Sequence, residues 1–232
     1  MNPRQQNLLK IITGQYIKTA LPVSSQLIAQ AGSFDLSPAT IRNEMADLEQ
    51  QGYIFHPHTS AGRVPTQKGY QFYVDNFLNE PRLNKKQQDS LDQLARPFKQ
   101  FEPLMAKELA KGVAEFSQGA VFVAFSPNDF YYTGLSNLFS QPEFAEQRLI
   151  YNLSRVIDHL DLVLGKIFGQ IGSDIKIAVG KNNPIAHDCS AVITKYQVKN
   201  QQGILGILGP MRMDYQNNFS LIKYSQELIS AK

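Results

Sequence analysis

Three short helical patterns and a small hairpin, all within the first 80 residues, constrain the fold of this chain most strongly. Apolar residues repeat at helical spacing from about residue 4 to residue 18, which predicts a first helix. Ser24 and Ser25 are suitable N-caps for a short second helix, and Ser37 followed by Pro38 predicts the start of a third. Gly52 is expected to end that third helix.

A hairpin is predicted directly after Gly52. Residues 53–55 are expected to form a strand, residues 57–62 a polar turn and residues 63–64 the returning strand, and Thr66 then caps a fourth helix. Three helices followed by a small hairpin form the winged-helix arrangement, a variant of helix-turn-helix in which the last helix of the trio enters the major groove of DNA. The sequence therefore predicts a winged-helix DNA-binding domain over residues 1–80.

The predicted third helix has an apolar side and a side suited to reading bases. Ile41, Met45 and Leu48 lie at i, i+4 and i+7, so they form one inward stripe. The other side carries side-chain types that direct readout uses, since Arg pairs with guanine, Asn with adenine, and small side chains touch the thymine methyl. These residues are Ala39, Thr40, Arg42 and Asn43. The helix alone leaves open the interpretation that they are ordinary exposed residues.

The predicted hairpin supplies small polar donors and one arginine. Backbone amides and hydroxyls at its tip are expected to contact phosphates, Arg63 to reach into the minor groove, and Lys68 to add a phosphate contact. A plain polar hairpin is the alternative. The predicted DNA-binding residues are Ser24, Ser25, Ser37, Ala39, Thr40, Arg42, Asn43, His58, Thr59, Ser60, Arg63 and Lys68.

The remainder of the chain is predicted to be α+β. Residues 81–118 are interrupted by prolines and have an apolar side, which predicts a helical connector of two amphipathic helices. Residues 119–232 mix strands and helices without regular alternation, which favours an α+β domain. The expected strands are 121–125, 130–132, 175–179, 191–198 and 203–208, and the expected helices are 146–172 and 214–230.

Charge and cysteine content exclude several classes of protein. The net charge is only +3, and the first 80 residues carry six basic and six acidic side chains, so a DNA-binding surface must come from local charge separation. A single cysteine excludes a disulfide framework and a cysteine-rich zinc site. No apolar run approaches the ~18 residues of a membrane span, and the first residues lack signal-peptide features, so we expect a cytoplasmic location.

Histidine and cysteine patterns do not favour an enzyme. His56 and His58 lack the further donors that a metal site needs. His187, Asp188 and Cys189 are adjacent, so their side chains do not converge on a strand. We therefore expect no enzymatic activity, no cofactor and no metal. Arg212 and Asp214 are expected to form an intramolecular pair.

Two sequence blocks resemble the heat-inducible transcription repressors of the HrcA type. The first comprises LSPATIRNEMADLE at 36–49, PHTSAGRVPT at 57–66, and residues 68–70 and 72–75. The second lies at 136–138, 141–144, 179–180, 183–184, 188–190 and 209–215. The resemblance implies a GAF-like C-terminal domain, binding as a homodimer to an inverted-repeat operator of double-stranded DNA upstream of chaperone genes, and modulation by a GroEL-type chaperonin. This chain lacks the dimerisation insert that such proteins usually carry after the first strand of that domain.

The predicted helix over 146–172 is the candidate dimer interface. Its apolar residues form two adjacent seams, so one seam is available for the domain's own sheet and the other for a partner. The first seam is Leu149, Leu153, Val156, Leu160, Val163 and Ile167, and the second is Ile150, Ile157, Leu164 and Ile171. A single wide core face is the alternative, and the connector helices are the next candidate. A different class of function also stays open, in which the chain senses a ligand or contacts proteins and its winged helix reads no specific operator.

Overall fold

The computed structural model of the chain describes residues 1–32, 34, 36–58, 61–80, 82–199 and 201–231. The chain divides into two units, Met1–Leu78 and Asn79–Lys232. The division falls two residues before the expected boundary at residue 80. Residues 81–118, expected to connect two domains, lie inside the second unit.

The first unit contains the expected order of helices and strands. Its elements are α1 (Pro3–Thr19), α2 (Ser25–Gln30), α3 (Pro38–Gln50), β1 (Ile54–Phe55), β2 (Val64–Pro65) and α4 (Gln67–Phe77). The predicted caps Ser24, Ser37 and Thr66 are confirmed, because each side chain accepts a hydrogen bond from a backbone N–H three residues later. Ser25, in contrast, is the first residue of α2 and is buried.

The core of the first unit confirms the predicted inward side of α3. Ile41, Met45 and Leu48 are buried and join a cluster with residues of α1, α2 and β1. Strands β1 and β2 pair antiparallel, with Ile54 opposite Pro65. Gly69 at the start of α4 faces the Tyr53 carbonyl so closely that a Cβ would collide with it. The helix can therefore pack directly against the hairpin.

The second unit is built on a five-stranded antiparallel sheet. Its strand order is β4-β3-β7-β6-β5, formed by β3 (Ala120–Ser126), β4 (Asp129–Thr133), β5 (Lys176–Val179), β6 (Cys189–Val198) and β7 (Gln201–Pro210). Its helices are α5 (Lys85–Ala95), α6 (Pro103–Ser117), α7 (Leu135–Phe139), α8 (Gln147–Asp158), α9 (Leu160–Ile167) and α10 (Tyr215–Ser230), with 3-10 turns at Pro142–Ala145 and Gly180–Asn182. The predicted α+β class of this half is confirmed.

Helices cover both faces of this sheet. On one face, Phe122, Ile193 and Ile204 form a core with residues of α7, α8 and α9. On the other face, α6 packs on β3 while α10 packs on β6 and β7, and α5 packs on α6 and α10. Successive strand residues point to opposite faces, so Val121 and Val123 serve this second layer.

The prediction of one continuous helix over 146–172 is wrong. His159 leaves the helical conformation, with φ −121° and ψ 27°, and separates α8 from α9. Both apolar seams contribute to the core of the unit, since Leu153 and Leu160 of the first and Leu164 of the second are buried there. The wide single core face is therefore the arrangement found. No helix among the described residues is long and apolar enough to cross a membrane.

Candidate nucleic-acid interface

The exposed side of α3 presents two polar side chains. Arg42 and Asn43 are exposed, and neither side chain has a hydrogen-bond or ion-pair partner among the described residues. Ala39, one turn earlier, is also exposed. The three residues lie opposite the buried Ile41, Met45 and Leu48. This side of α3 therefore offers one guanidinium and one carboxamide for recognition.

The N-terminal end of α3 is ordered by its own hydroxyl groups. The Ser37 Oγ accepts a hydrogen bond from the Thr40 backbone N–H at 3.2 Å, and the two hydroxyl oxygens lie 2.9 Å apart. Ser37 is exposed and Thr40 is half-buried. The cap thus fixes the start of the helix just before Arg42 and Asn43.

The acidic side chains of α3 all have partners inside the first unit. Glu44 pairs with Arg4 at 3.3 Å, and Asp47 accepts a hydrogen bond from Gln5 at 3.5 Å. Glu49 pairs with Arg63 at 2.9 Å and with the ring of His56 at 3.0 Å. Glu44 and Glu49 are each paired with a basic residue of the same unit.

The remaining predicted residues lie in different surroundings. Ser24 is exposed, and its Oγ accepts from the Leu27 N–H at 3.1 Å. Ser25 is buried, which removes it from the surface. His58 is exposed. Thr59 and Ser60 lie outside the described residues.

Arg63 lies at the end of the hairpin loop, directly before β2. Its backbone forms an isolated antiparallel bridge with Val23, and its side chain is only 12% exposed beside Glu49. Lys68 is exposed, but its Nζ donates to the Gln51 carbonyl at 2.8 Å and lies 4.3 Å from the centre of the Tyr53 ring. Both cations are therefore already engaged by the first unit.

The residue that sequence reasoning missed is Glu49. It is the penultimate residue of α3, and it binds residues on both sides of the hairpin loop. The sequence showed only a glutamate before the hairpin and an arginine at the end of its loop. Their spacing does not show that the two side chains meet.

In the second unit, the adjacent residues Asp188 and Cys189 are the candidates for a polar site. Asp188 accepts a hydrogen bond from Asn152 at 3.0 Å. Cys189 is buried, and burial raises the pKa of its thiol to about 12. Among the described residues, no three His, Cys, Asp or Glu side chains lie close enough to hold a metal ion. The cysteine is thus held as a thiol.

A cleft of about 390 Å³ lies next to Asp188, with Val156, Val163 and Ile185 among its apolar lining and Arg155, His159, His187 and Asp188 among its polar lining. Its volume falls within the range of small-molecule sites.

Arg212 is also bound, but not to the partner expected from the sequence. Its guanidinium donates to Glu143 at 2.6 and 3.2 Å and to the Gln141 side chain at 3.0 Å. Asp214 instead caps α10 by accepting from the Asn217 N–H. The expected pairing of Arg212 with Asp214 is therefore replaced by a longer-range pair within the second unit.

Comparison with known proteins identifies the family of the chain. Residues 71–218 match the family model described as the HrcA protein C-terminal domain. The chain belongs to the HrcA family.

Curated relatives named heat-inducible transcription repressor HrcA align along nearly the whole chain. The heat-inducible transcription repressor HrcA of Halalkalibacterium halodurans is 26% identical, with 97% of this chain and 95% of the relative covered. That of Carboxydothermus hydrogenoformans is also 26% identical, with 100% and 99% covered. The first alignment runs over 327 positions, whereas this chain has 232 residues, so at least 95 positions of it are gaps in this chain. The chain is thus a short member of its family.

A solved structure shares the fold. A crystal structure described as that of a hypothetical protein superposes with a TM-score of 0.81 at 19% identity, covering 100% of this chain and 98% of the other.

Proposed function

We propose that this chain represses transcription by binding DNA through its first unit, folded as a winged helix with α3 as the recognition helix. The observation that carries the proposal is the exposed pair Arg42 and Asn43, which has no partner among the described residues and lies opposite a buried apolar stripe. The curated relatives support the same function by their name, heat-inducible transcription repressor.

In this proposal, the base contacts come from α3 and the phosphate contacts from its surroundings. Arg42 pairs with guanine, Asn43 with adenine, and Ala39 and Thr40 touch thymine methyl groups. Ser24 and Ser37, at the exposed ends of two helices, contact phosphates together with His58, Thr59, Ser60 and Lys68. Arg63 is assigned a different role below, because its side chain is already paired with Glu49.

The second unit serves assembly in this proposal. We propose that it has a GAF-like fold and that it joins two copies of the chain in the cytoplasm. The two first units then bind the two half-sites of an inverted-repeat operator of chaperone genes. The spacing between the half-sites is about 34 Å or a multiple of it. A GroEL-type chaperonin is the proposed modulator. Most residues of the apolar seams of α8 and α9 pack in the core and are not available to a partner. Ile150, Tyr151 and Leu162 of these helices are exposed, with Leu162 60% exposed. Light scattering at tens of micromolar tests the dimer, and a monomer would contradict it.

The DNA proposal is tested by selection from a random-sequence duplex pool. The full chain is expected to enrich an inverted repeat and to bind it with a steep salt dependence. Binding of the enriched duplex should exceed binding of a shuffled duplex of the same composition by about 10³-fold or more. Enrichment of no sequence would contradict the proposal.

The cleft beside His187 favours a second candidate function, the sensing of a small ligand. Its lining combines the apolar Val156, Val163 and Ile185 with the Arg155 guanidinium and the Asp188 carboxylate, and the guanidinium suits a small organic anion. Thermal melting with a panel of aromatic carboxylates tests this function. A rise in melting temperature that disappears in Arg155→Ala is the expected result, and no rise with any compound would exclude that ligand class.

A further inference from the structure

The Glu49 carboxylate contacts residues on both sides of the hairpin loop, through a backbone hydrogen bond, a contact with an imidazole nitrogen and an ion pair. Its Oε1 accepts from the His56 backbone N–H at 3.1 Å and lies 3.0 Å from the His56 Nδ1. Its Oε2 lies 2.9 Å from a terminal guanidinium nitrogen of Arg63. Hydrogen bonds that involve an ionised group are about twice as strong as neutral ones. One side chain of α3 therefore holds both ends of the loop.

The loop that Glu49 holds begins and ends at the two strands. His56 directly follows β1, and Arg63 directly precedes β2. The same end of the loop is bound a second time, because Arg63 and Val23 exchange two backbone hydrogen bonds of 2.8 and 2.9 Å. Gly62 permits this approach, since a Cβ there would collide with the Val23 carbonyl. The base of the loop is thus joined both to α3 and to the residue preceding the cap of α2.

We propose that Glu49 is a positioning residue that fixes the wing, meaning β1, β2 and the loop between them, relative to α3. It thereby determines operator affinity and selectivity without touching DNA. The inference rests on the proposed function. Phosphate contacts set the register in which a recognition helix meets the bases, so a wing held firmly against α3 aligns Arg42 and Asn43 with their base pairs. Release of the wing removes that alignment although the chain still carries every DNA-contacting side chain.

The surroundings of Arg63 favour this role over direct contact with DNA. Its side chain is 12% exposed, and its Nε is buried and has no hydrogen-bond partner among the described residues. If Arg63 left Glu49 for a phosphate, the carboxylate would stay beside the DNA without its cation, which is unfavourable. The two roles predict opposite signs for removal of the Glu49 charge. A positioning residue gives weaker operator binding, and a competitor for Arg63 gives tighter binding.

The test uses Glu49→Gln with Glu44→Gln as its matched control. Both variants remove one negative charge from α3, and both glutamates pair with an arginine, but Glu44 pairs with Arg4 of α1 and not with the wing. Binding of the full-length variants is measured on a duplex enriched by the wild-type chain and on its shuffled counterpart, over a series of salt concentrations. Melting curves confirm that binding is measured on folded protein.

We expect Glu49→Gln to bind the enriched duplex about tenfold more weakly than Glu44→Gln, with nearly equal binding of the shuffled duplex and an unchanged salt slope. The slope is unchanged because no phosphate-contacting cation is lost. Hydrogen exchange at the His56 amide should accelerate in Glu49→Gln alone. Equal or tighter operator binding by Glu49→Gln than by Glu44→Gln would overturn the proposal.

Arg63→Gln and the double variant Glu49→Gln/Arg63→Gln complete the experiment. If the two residues act as one unit, the double variant binds the enriched duplex about as weakly as each single variant. Additive losses, with a salt slope reduced by about 0.9 in Arg63→Gln, would instead show that Arg63 contacts a phosphate. Failure of the wild-type chain to enrich any sequence would remove the proposed function itself. A wild-type chain that enriches an operator, with Glu49→Gln equal to its control, would remove only the role of Glu49.

Discussion

The two units use their charged side chains in different ways. In the first unit, Arg42 and Asn43 of α3 are exposed and have no partner within the part of the chain that the structure describes. In the second unit, Arg212 is 11% exposed and binds Glu143 and Gln141. A guanidinium that is already satisfied stabilises its own fold, whereas one without a partner is available for a ligand. The difference favours recognition by the first unit and a scaffold role for this part of the second.

The largest expected effect concerns the apolar stripe behind the reading side of α3. Leu48 is fully buried, so Leu48→Ala should lower the free energy of unfolding of the first unit by about 2–5 kcal/mol. Hydrogen exchange followed in both units should show faster exchange in Met1–Leu78 only. Ala46→Ser, at an exposed position of the same helix, is the control and should change little. A loss below about 0.5 kcal/mol for Leu48→Ala would mean that the reading side of α3 is wrongly assigned.

The next effect probes the satisfied arginine of the second unit. Arg212→Ala should cost about 2–3 kcal/mol, because it leaves Glu143, which is only 26% exposed in its side chain, without its cation. Chemical denaturation measures the loss, and Lys111→Ala, which removes a more exposed pair with Glu108, is the control. We expect no change in DNA binding at a temperature where the variant is folded. A change in operator selectivity would contradict the contrast between the units.

Local signals explain how much of this arrangement the sequence predicts. The caps Ser37 and Thr66 and the stripe of Ile41, Met45 and Leu48 depend on neighbours within one or two helical turns, so their pattern is readable. Glu49 and Arg63 meet across the hairpin, and Arg212 meets Glu143 across 69 positions, and no spacing rule connects such pairs. The break at His159 carries neither Gly nor Pro, which are the residues that usually announce one.

The third effect addresses the reading residues directly. Arg42→Ala or Asn43→Ala should cost about 1–3 kcal/mol on the enriched duplex and much less on the shuffled one, because each removes a base contact. Fluorescence anisotropy on both duplexes measures the difference. Equal losses on both duplexes would show that these side chains contact phosphate only, and the assignment of base readout to them would then be withdrawn.

A smaller effect uses the buried cysteine of the second unit. Because the pKa of Cys189 rises from its usual 9.0 to about 12 on burial, the folded chain keeps the thiol protonated where the unfolded chain has begun to lose its proton. The contribution of the buried, protonated thiol to the free energy of unfolding is complete below pH 9.0 and declines as the pH rises toward 12. At pH 8, a thiol reagent should therefore label the folded chain far more slowly than the chain in denaturant. Equal labelling rates would show that the thiol is accessible and that this part of the scaffold opens readily.

The smallest effect concerns Lys68, a cation that is exposed yet engaged by its own unit. Its Nζ already donates to Gln51 and lies over the Tyr53 ring, so a phosphate must share it with these partners. Lys68→Ala should therefore weaken binding of the enriched and shuffled duplexes alike, by less than Arg42→Ala weakens the former, and should reduce the salt slope by at most about 0.9. Lys10→Ala is the matched control, because Lys10 also lies over an aromatic ring, that of Phe77 at 5.4 Å, but is carried by α1. A loss confined to the enriched duplex would identify Lys68 as a base-reading residue, and an unchanged slope in both variants would place Lys68 off the DNA.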